Sequence, residues 1–98
     1  MESEQVKAML LPHVRGLNAS GIAHLIVHGS VARGEATPSS DVDLIAHFDR
    51  AKKLSLIGRV HLENRLSDIL GVKADLADRA MLRPEVLERV QRESVLVF

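Results

Sequence analysis

Two aspartates with one residue between them stand in the run Ser40-Asp41-Val42-Asp43-Leu44-Ile45. If this run is a strand, side chains alternate between its faces, so Asp41 and Asp43 project from the same side. The rise of a strand then sets their Cβ atoms roughly 6 to 7 Å apart. Two like charges held that way repel unless a cation lies between them. A hard cation such as Mg²⁺ takes one or two carboxylates together with phosphate oxygens and water. The pair therefore suits a metal-bound triphosphate. Upstream, Ile26-Val27-His28 runs into Gly29-Ser30. A glycine lets backbone approach a phosphate without a Cβ in the way. A helical turn starting at Ser30 would aim free N–H groups and a positive end at an anion, and the Ser30 hydroxyl adds a donor. Arg33 has two readings, a further anion ligand or a partner for Glu35.

These residues need elements to hold them. Ile22 to His28 is a short, mostly apolar run with branched residues and fits a buried strand. Gly34 to Ser40 has loop composition. Asp41 to Phe48 alternates, with Asp41, Asp43, Ile45 and His47 on one side and Val42, Leu44, Ala46 and Phe48 on the other. Asp49 to Lys53 is a polar connection. Leu54 to Leu70 reads as the longest helix, with an apolar stripe at Leu62, Leu66, Ile69 and Leu70 and Gly71 as its C-terminal cap. Val72 to Ala77 follows as a third strand, and Pro84 opens a last helix to about Glu93, with Val86, Leu87 and Val90 inward. At the other end, Ser3 caps a first helix whose face is Val6, Met9, Leu10, His13, Val14 and Leu17, kinked or restarted at Pro12. The expected fold class is α/β (α+β): a small mixed sheet of three to four strands with helices packed on it, one domain over residues 1–98.

Composition narrows the function classes. Lys plus Arg and Asp plus Glu number 13 each, and the only aromatics of the Phe, Trp and Tyr group are two Phe. Neither a basic nucleic-acid surface nor an aromatic base-stacking platform is indicated, and direct nucleic-acid binding is not expected. The zero net charge hints at a protein partner. There is no Cys, which excludes disulfides and thiolate zinc sites and accords with a cytoplasmic setting. The start, Met1-Glu2-Ser3-Glu4, is unlike a signal peptide, and no apolar run reaches the length of a membrane span. The five His show no metal-ligand spacing. Neither a dinucleotide glycine fingerprint nor a Walker lysine motif is present.

Taken together, an apolar residue, Gly29-Ser30, the ten-residue loop Val31 to Ser40 and Asp41-x-Asp43 with apolar neighbours resemble the signature of the DNA polymerase β-like nucleotidyltransferase superfamily. Gly29-Ser30-x-Ala32-Arg33-Gly34-Glu35 and Ser40-Asp41-Val42-Asp43-Leu44 look like its minimal branch, the MNT domains, and the resemblance continues through Leu70-Gly71-Val72-Lys73 and Asp75-Leu76 over most of the chain. It implies a third carboxylate on the strand after the long helix; Asp75 matches, with Asp78 as the possible substitute. It further implies two Mg²⁺ ions held by Asp41, Asp43 and Asp75, with ATP as substrate and Gly29, Ser30, Arg33 and Ser40 at the nucleotide. Asp75 would also accept the proton of the attacking hydroxyl, which displaces pyrophosphate in line from the α-phosphorus.

The same resemblance implies a biological role. MNT proteins pair with HEPN ribonucleases in toxin–antitoxin modules, so the expected acceptor is a tyrosine of an HEPN-type toxin, modified with AMP within a hetero-oligomer. Two alternatives stand beside it. One is a non-catalytic antitoxin that masks the toxin, motivated by the apolar tail Val95-Leu96-Val97-Phe98, which could dock on a partner or add a short strand. The other is a subunit that modifies a small hydroxylated antibiotic.

Overall fold

The computed structural model describes residues 1–37 and 40–98, so Pro38 and Ser39 of the predicted loop lie outside the described residues. Helix α1 spans Ser3–Leu10. Its cap is Glu2 rather than Ser3: the Glu2 N–H donates to Oε1 of Gln5 at 2.9 Å, a reciprocal box that makes Ser3 the first helical residue. Pro12 cannot donate a backbone hydrogen bond, and the chain tightens there into a 3-10 turn, Leu11–His13, before restarting as α2, Val14–Ala19. Val6, Leu10 and Leu17 of this pair are fully buried, while Met9 and His13 are turned off the buried face.

Strand β1 is Ile22–His28 and β2 is Val42–Phe48, paired antiparallel with His28 opposite Asp43. Asp41, predicted as the first residue of this strand, instead stands just before it, at the mouth of β2. Helix α3 covers Leu56–Leu70, shorter at its start than predicted because Ser55 acts as N-cap, its hydroxyl accepting from Gly58 N–H at 3.0 Å. Gly71 ends it in the left-handed region, φ 72°, as its sequence position predicts. Strand β3 is Ala74–Asp78 and runs parallel to β2, a sense reached through the α3 crossover. After a further 3-10 turn, Arg79–Met81, helix α4 spans Pro84–Glu93 with Pro84 in its first turn.

The tail forms β4, Val95–Leu96, antiparallel to β1, which completes a four-stranded mixed sheet in the order β3-β2-β1-β4. Backbone bonds continue past it: Val97 N–H donates to Leu25 O at 2.8 Å and Leu25 N–H to Phe98 O at 3.1 Å. The tail does add a short strand, but to its own sheet.

One face of the sheet carries the main core. Leu25, Val27, Val42, Leu44, Ala46 and Ala74 meet Val6, Leu10 and Leu17 from the first helices and Leu62, Leu66 and Leu70 from α3, with Val97 closing the edge. Each fully buried Leu or Val contributes on the order of 1.5 to 3 kcal/mol. The other face carries the polar positions of the same strands, yet Ile45 there is also buried, outside the main cluster, as is Val90 of α4. The segment after β3 folds back over that face, and Leu82 borders one cleft with Ile45 and Ala77. The outer edge of β3 is not left bare. Ala74 N–H donates to Oγ of Ser67 at 2.9 Å and Leu76 N–H to Oε2 of Glu63 at 2.8 Å, both from α3. Two amides that would otherwise template another strand are thereby capped. Among the described residues no helix is long and apolar enough to cross a membrane.

Candidate functional site

The register brings the separated acids together. Asp43 of β2 is the direct partner of Asp75 of β3, and on its other side it faces His28 of β1. Partners across a sheet share a face, so Asp43, Asp75 and His28 project together. Asp41, two residues before Asp43, stands at the strand mouth, where the Lys73 ammonium lies near both it and Asp75. Asp78 ends β3, pairs with Arg59 at 2.8 Å and caps Ala80 N–H, so it stands away from the group. Of the two candidates, Asp75 is the one that the register sets beside Asp43. His28, Asp43, Glu63, Asp75, Ile45 and Leu82 border a cleft of about 150 Å³.

Gly29 joins the group by close approach. Its φ is 77°, a conformation L-residues rarely adopt, and a Cβ there would overlap Oδ2 of Asp43, with Cγ only 3.3 Å away. The carboxylate of Asp43 is half-buried against this glycine and makes no hydrogen bond or ion pair among the described residues. A carboxylate so placed has both oxygens available to a ligand.

The loop after Gly29 is a series of turns rather than a helix. Arg33 N–H donates to Gly29 O at 3.1 Å, Gly34 N–H to Val31 O at 3.1 Å and Glu35 N–H to Ser30 O at 2.8 Å. A single helical-type turn therefore follows Gly29, and Val31 is buried beneath it. Arg33 is an ion-pairing residue in this arrangement: Nε lies 3.2 Å from Glu35 Oε2, and Nη1 lies 3.9 Å from Oε2 of Glu93 in α4. Ser40 is engaged locally, its Oγ accepting from Thr37 N–H at 2.9 Å and lying 3.1 Å from Thr37 Oγ1.

A further residue enters that composition and spacing did not single out. Lys73 precedes β3, and its carbonyl accepts from Val42 N–H at 2.9 Å, which fixes its backbone beside Asp41. Its Nζ lies 3.8 Å from Asp75 Oδ1 and 3.9 Å from Asp41 Oδ2. The available signal was its offset of two from Asp75, which puts both on one face of an extended segment.

A larger cavity, about 670 Å³, opens at the other ends of β2 and β3 and is bordered by His47, Arg50, Lys53, Arg59 and Arg79. It lacks a glycine turn, and its two acids, Asp49 and Asp78, each cap a local N–H. The carboxylate cleft is smaller, and it brings Asp43, Asp75, Glu63 and His28 to one border.

Residues 10–97 match the family model described as a nucleotidyltransferase domain. The chain belongs to the nucleotidyltransferase family. Nucleotidyltransferases are enzymes, and the fold of this one has solved counterparts. It is 34% identical over 95 residues to the protein adenylyltransferase MntA of Thermococcus cleftensis, covering 96% of this chain and 94% of the relative. A solved structure described as a minimal nucleotidyltransferase superposes with a TM-score of 0.80 at 33% identity, over 97% of this chain and 95% of that one. The MNT antitoxin bound to a tri-AMPylated HEPN toxin of Shewanella oneidensis gives a TM-score of 0.68 at 18% identity, over 97% of this chain and 71% of that one, a likeness of fold.

A nucleotidyltransferase of this kind implies Mg²⁺, and the donor set fits it. Asp41, Asp43 and Asp75 offer hard carboxylate oxygens. A positive charge, the Lys73 ammonium, already stands between two of them. Among the described residues no three acidic or imidazole groups are gathered closely enough to hold one ion as they stand. An ion here would need phosphate oxygens and water to complete its ligand shell, as is usual for Mg²⁺.

Proposed function

We propose that this nucleotidyltransferase transfers AMP from ATP to a hydroxyl of a partner HEPN-type toxin, with a tyrosine as acceptor, and thereby acts as its antitoxin in a cytoplasmic hetero-oligomer. The observation that carries the reading is the sheet register: Asp43 and Asp75 are direct partners across β2 and β3, with Asp41 at the mouth and Gly29 against Asp43. The adenylyltransferase name of the Thermococcus relative supplies the transferred group, and the HEPN complex of the Shewanella protein supplies the partner.

The residues divide the work by position. Asp41, Asp43 and Asp75 would hold two Mg²⁺ ions, which would supply charge neutralisation of the triphosphate. Gly29 admits phosphate oxygens close to the backbone, and the Ser30 hydroxyl donates to them. Arg33 and Ser40 serve as nucleotide contacts, each having to leave a present partner to do so. Asp75 takes the proton of the acceptor hydroxyl as its oxygen attacks the α-phosphorus, and pyrophosphate departs on the opposite side. Rate enhancement comes mainly from alignment and from fixed charge in the cleft.

Incubation of the chain with α-labelled ATP, Mg²⁺ and an HEPN protein encoded beside it tests this directly. Label is expected on the HEPN protein with the wild-type chain and absent with Asp43→Asn; an unlabelled partner under conditions where both bind each other overturns the proposal. Masking without catalysis draws less support from the apolar tail, which is paired within the sheet while Leu96 stays exposed. Neutralisation that survives the double change Asp41→Asn, Asp43→Asn would restore it.

A further inference from the structure

Lys73 sits where a cation is wanted. Its Nζ is 3.8 Å from Asp75 and 3.9 Å from Asp41, while its side chain remains 69% exposed and its backbone is tied to Val42. The stem is free to swing although its base is fixed. An ammonium and a metal ion cannot both occupy the gap between these carboxylates, because like charges that close repel strongly. A metal arriving alone must displace the ammonium and then sit beside it. A metal arriving with a triphosphate brings anionic oxygens that the displaced ammonium can meet.

We propose that Lys73 is a positioning residue that couples the metal to the nucleotide: it opposes binding of the bare divalent ion and favours binding of the metal–triphosphate complex. The proposal rests on the reading of Asp41, Asp43 and Asp75 as the metal-holding group. Lys73 supplies an internal counter-ion to the free site, which keeps three carboxylates on one sheet face tolerable without metal. It then becomes a phosphate partner in the loaded site. The two effects have opposite signs, and a residue that merely supported local structure would move both affinities the same way.

The test compares wild type, Lys73→Met, Lys73→Arg and Asp75→Asn, each as the full chain. Mn²⁺ affinity is read by electron paramagnetic resonance without nucleotide, and affinity for a Mg²⁺-bound non-hydrolysable ATP analogue by calorimetry. Two exposed ion pairs of this kind set the scale, so Lys73→Met should bind bare Mn²⁺ about three- to tenfold tighter. The same variant should bind the metal–nucleotide complex about three- to tenfold more weakly. Lys73→Arg, which keeps the charge, should restore both toward wild type. Unchanged or weaker Mn²⁺ binding by Lys73→Met, with Asp75-dependent binding intact in wild type, overturns the role of Lys73 and leaves the carboxylate reading standing. Mn²⁺ binding by wild type that is indifferent to Asp75→Asn overturns both.

Discussion

Asp43 has a carboxylate that no structural duty explains. It is half-buried, is pressed against Gly29 and has no hydrogen-bond or ion-pair partner among the described residues. Asp78, a few residues beyond Asp75, shows the contrast: it is engaged with Arg59 and with Ala80 N–H. Replacing Asp43 by the isosteric Asn should therefore leave the thermal midpoint close to wild type while lowering nucleotide transfer by about 10³-fold or more, the loss of several kcal/mol of charge stabilisation. Calorimetric melting beside a single-turnover assay checks both halves; a collapsed midpoint would mean that Asp43 is structural. Gly29→Ala should behave differently and lose both. Its φ of 77° strains any L side chain by about 1 kcal/mol or more, and the new Cβ meets the Asp43 carboxylate. Partial recovery of stability in the double variant Gly29→Ala, Asp43→Gly would identify that overlap as the cause.

Elements explain why some of this could be read from the chain and some could not. Period-two alternation from Asp41 to Phe48 fixes which side chains share a face whatever the sheet looks like, so the common face of Asp41 and Asp43 was legible. Gly71 marked the end of α3 because only glycine enters the left-handed region freely there. Pro12 marked a break for want of an N–H. What was not legible depends on partners distant in sequence. The pairing of Asp43 with Asp75 is a register, and the burial of Ile45 requires a second layer over the polar face. The role of Glu63 is of the same kind: it is a helix-surface acid by pattern, yet its Oε2 receives the outward N–H of Leu76. Glu63→Ala should leave that amide unpaired and cost about 1 to 3 kcal/mol, measured as a shift in urea midpoint at constant slope. Ser55→Ala, which removes only the cap of α3, should cost about 1 kcal/mol in the same measurement. A Glu63 variant as stable as wild type would mean that water replaces the carboxylate at no cost.

For the molecule as a whole, the decisive feature is that the strand leading into Gly29 is held from both sides. β1 lies between β2, which brings the aspartates, and β4, which is made from the last residues of the chain. An apolar tail invites the expectation of a docking segment, and the sheet gives it a different use. Val97 is 3% exposed within the core, whereas Leu96, paired with Ile26 on the opposite face, is 58% exposed. The two neighbours thus separate the alternatives cleanly. If the tail works within its own sheet, Val97→Ala removes buried methyls and costs about 2 kcal/mol, while Leu96→Ser stays within about 0.5 kcal/mol of wild type. Partner binding should then be unchanged in Leu96→Ser. If instead the tail is chiefly a docking segment, Leu96→Ser weakens the complex and Val97→Ala barely alters the midpoint. Against a typical domain stability of about 5 to 15 kcal/mol, losing residues 95–98 altogether should leave a substantial unfolded fraction, because a core side chain and the edge bonds to Leu25 go together. Denaturant melts of the three variants beside affinity for the HEPN partner decide between these outcomes, and the expected pattern is stability lost at Val97 with binding untouched at Leu96.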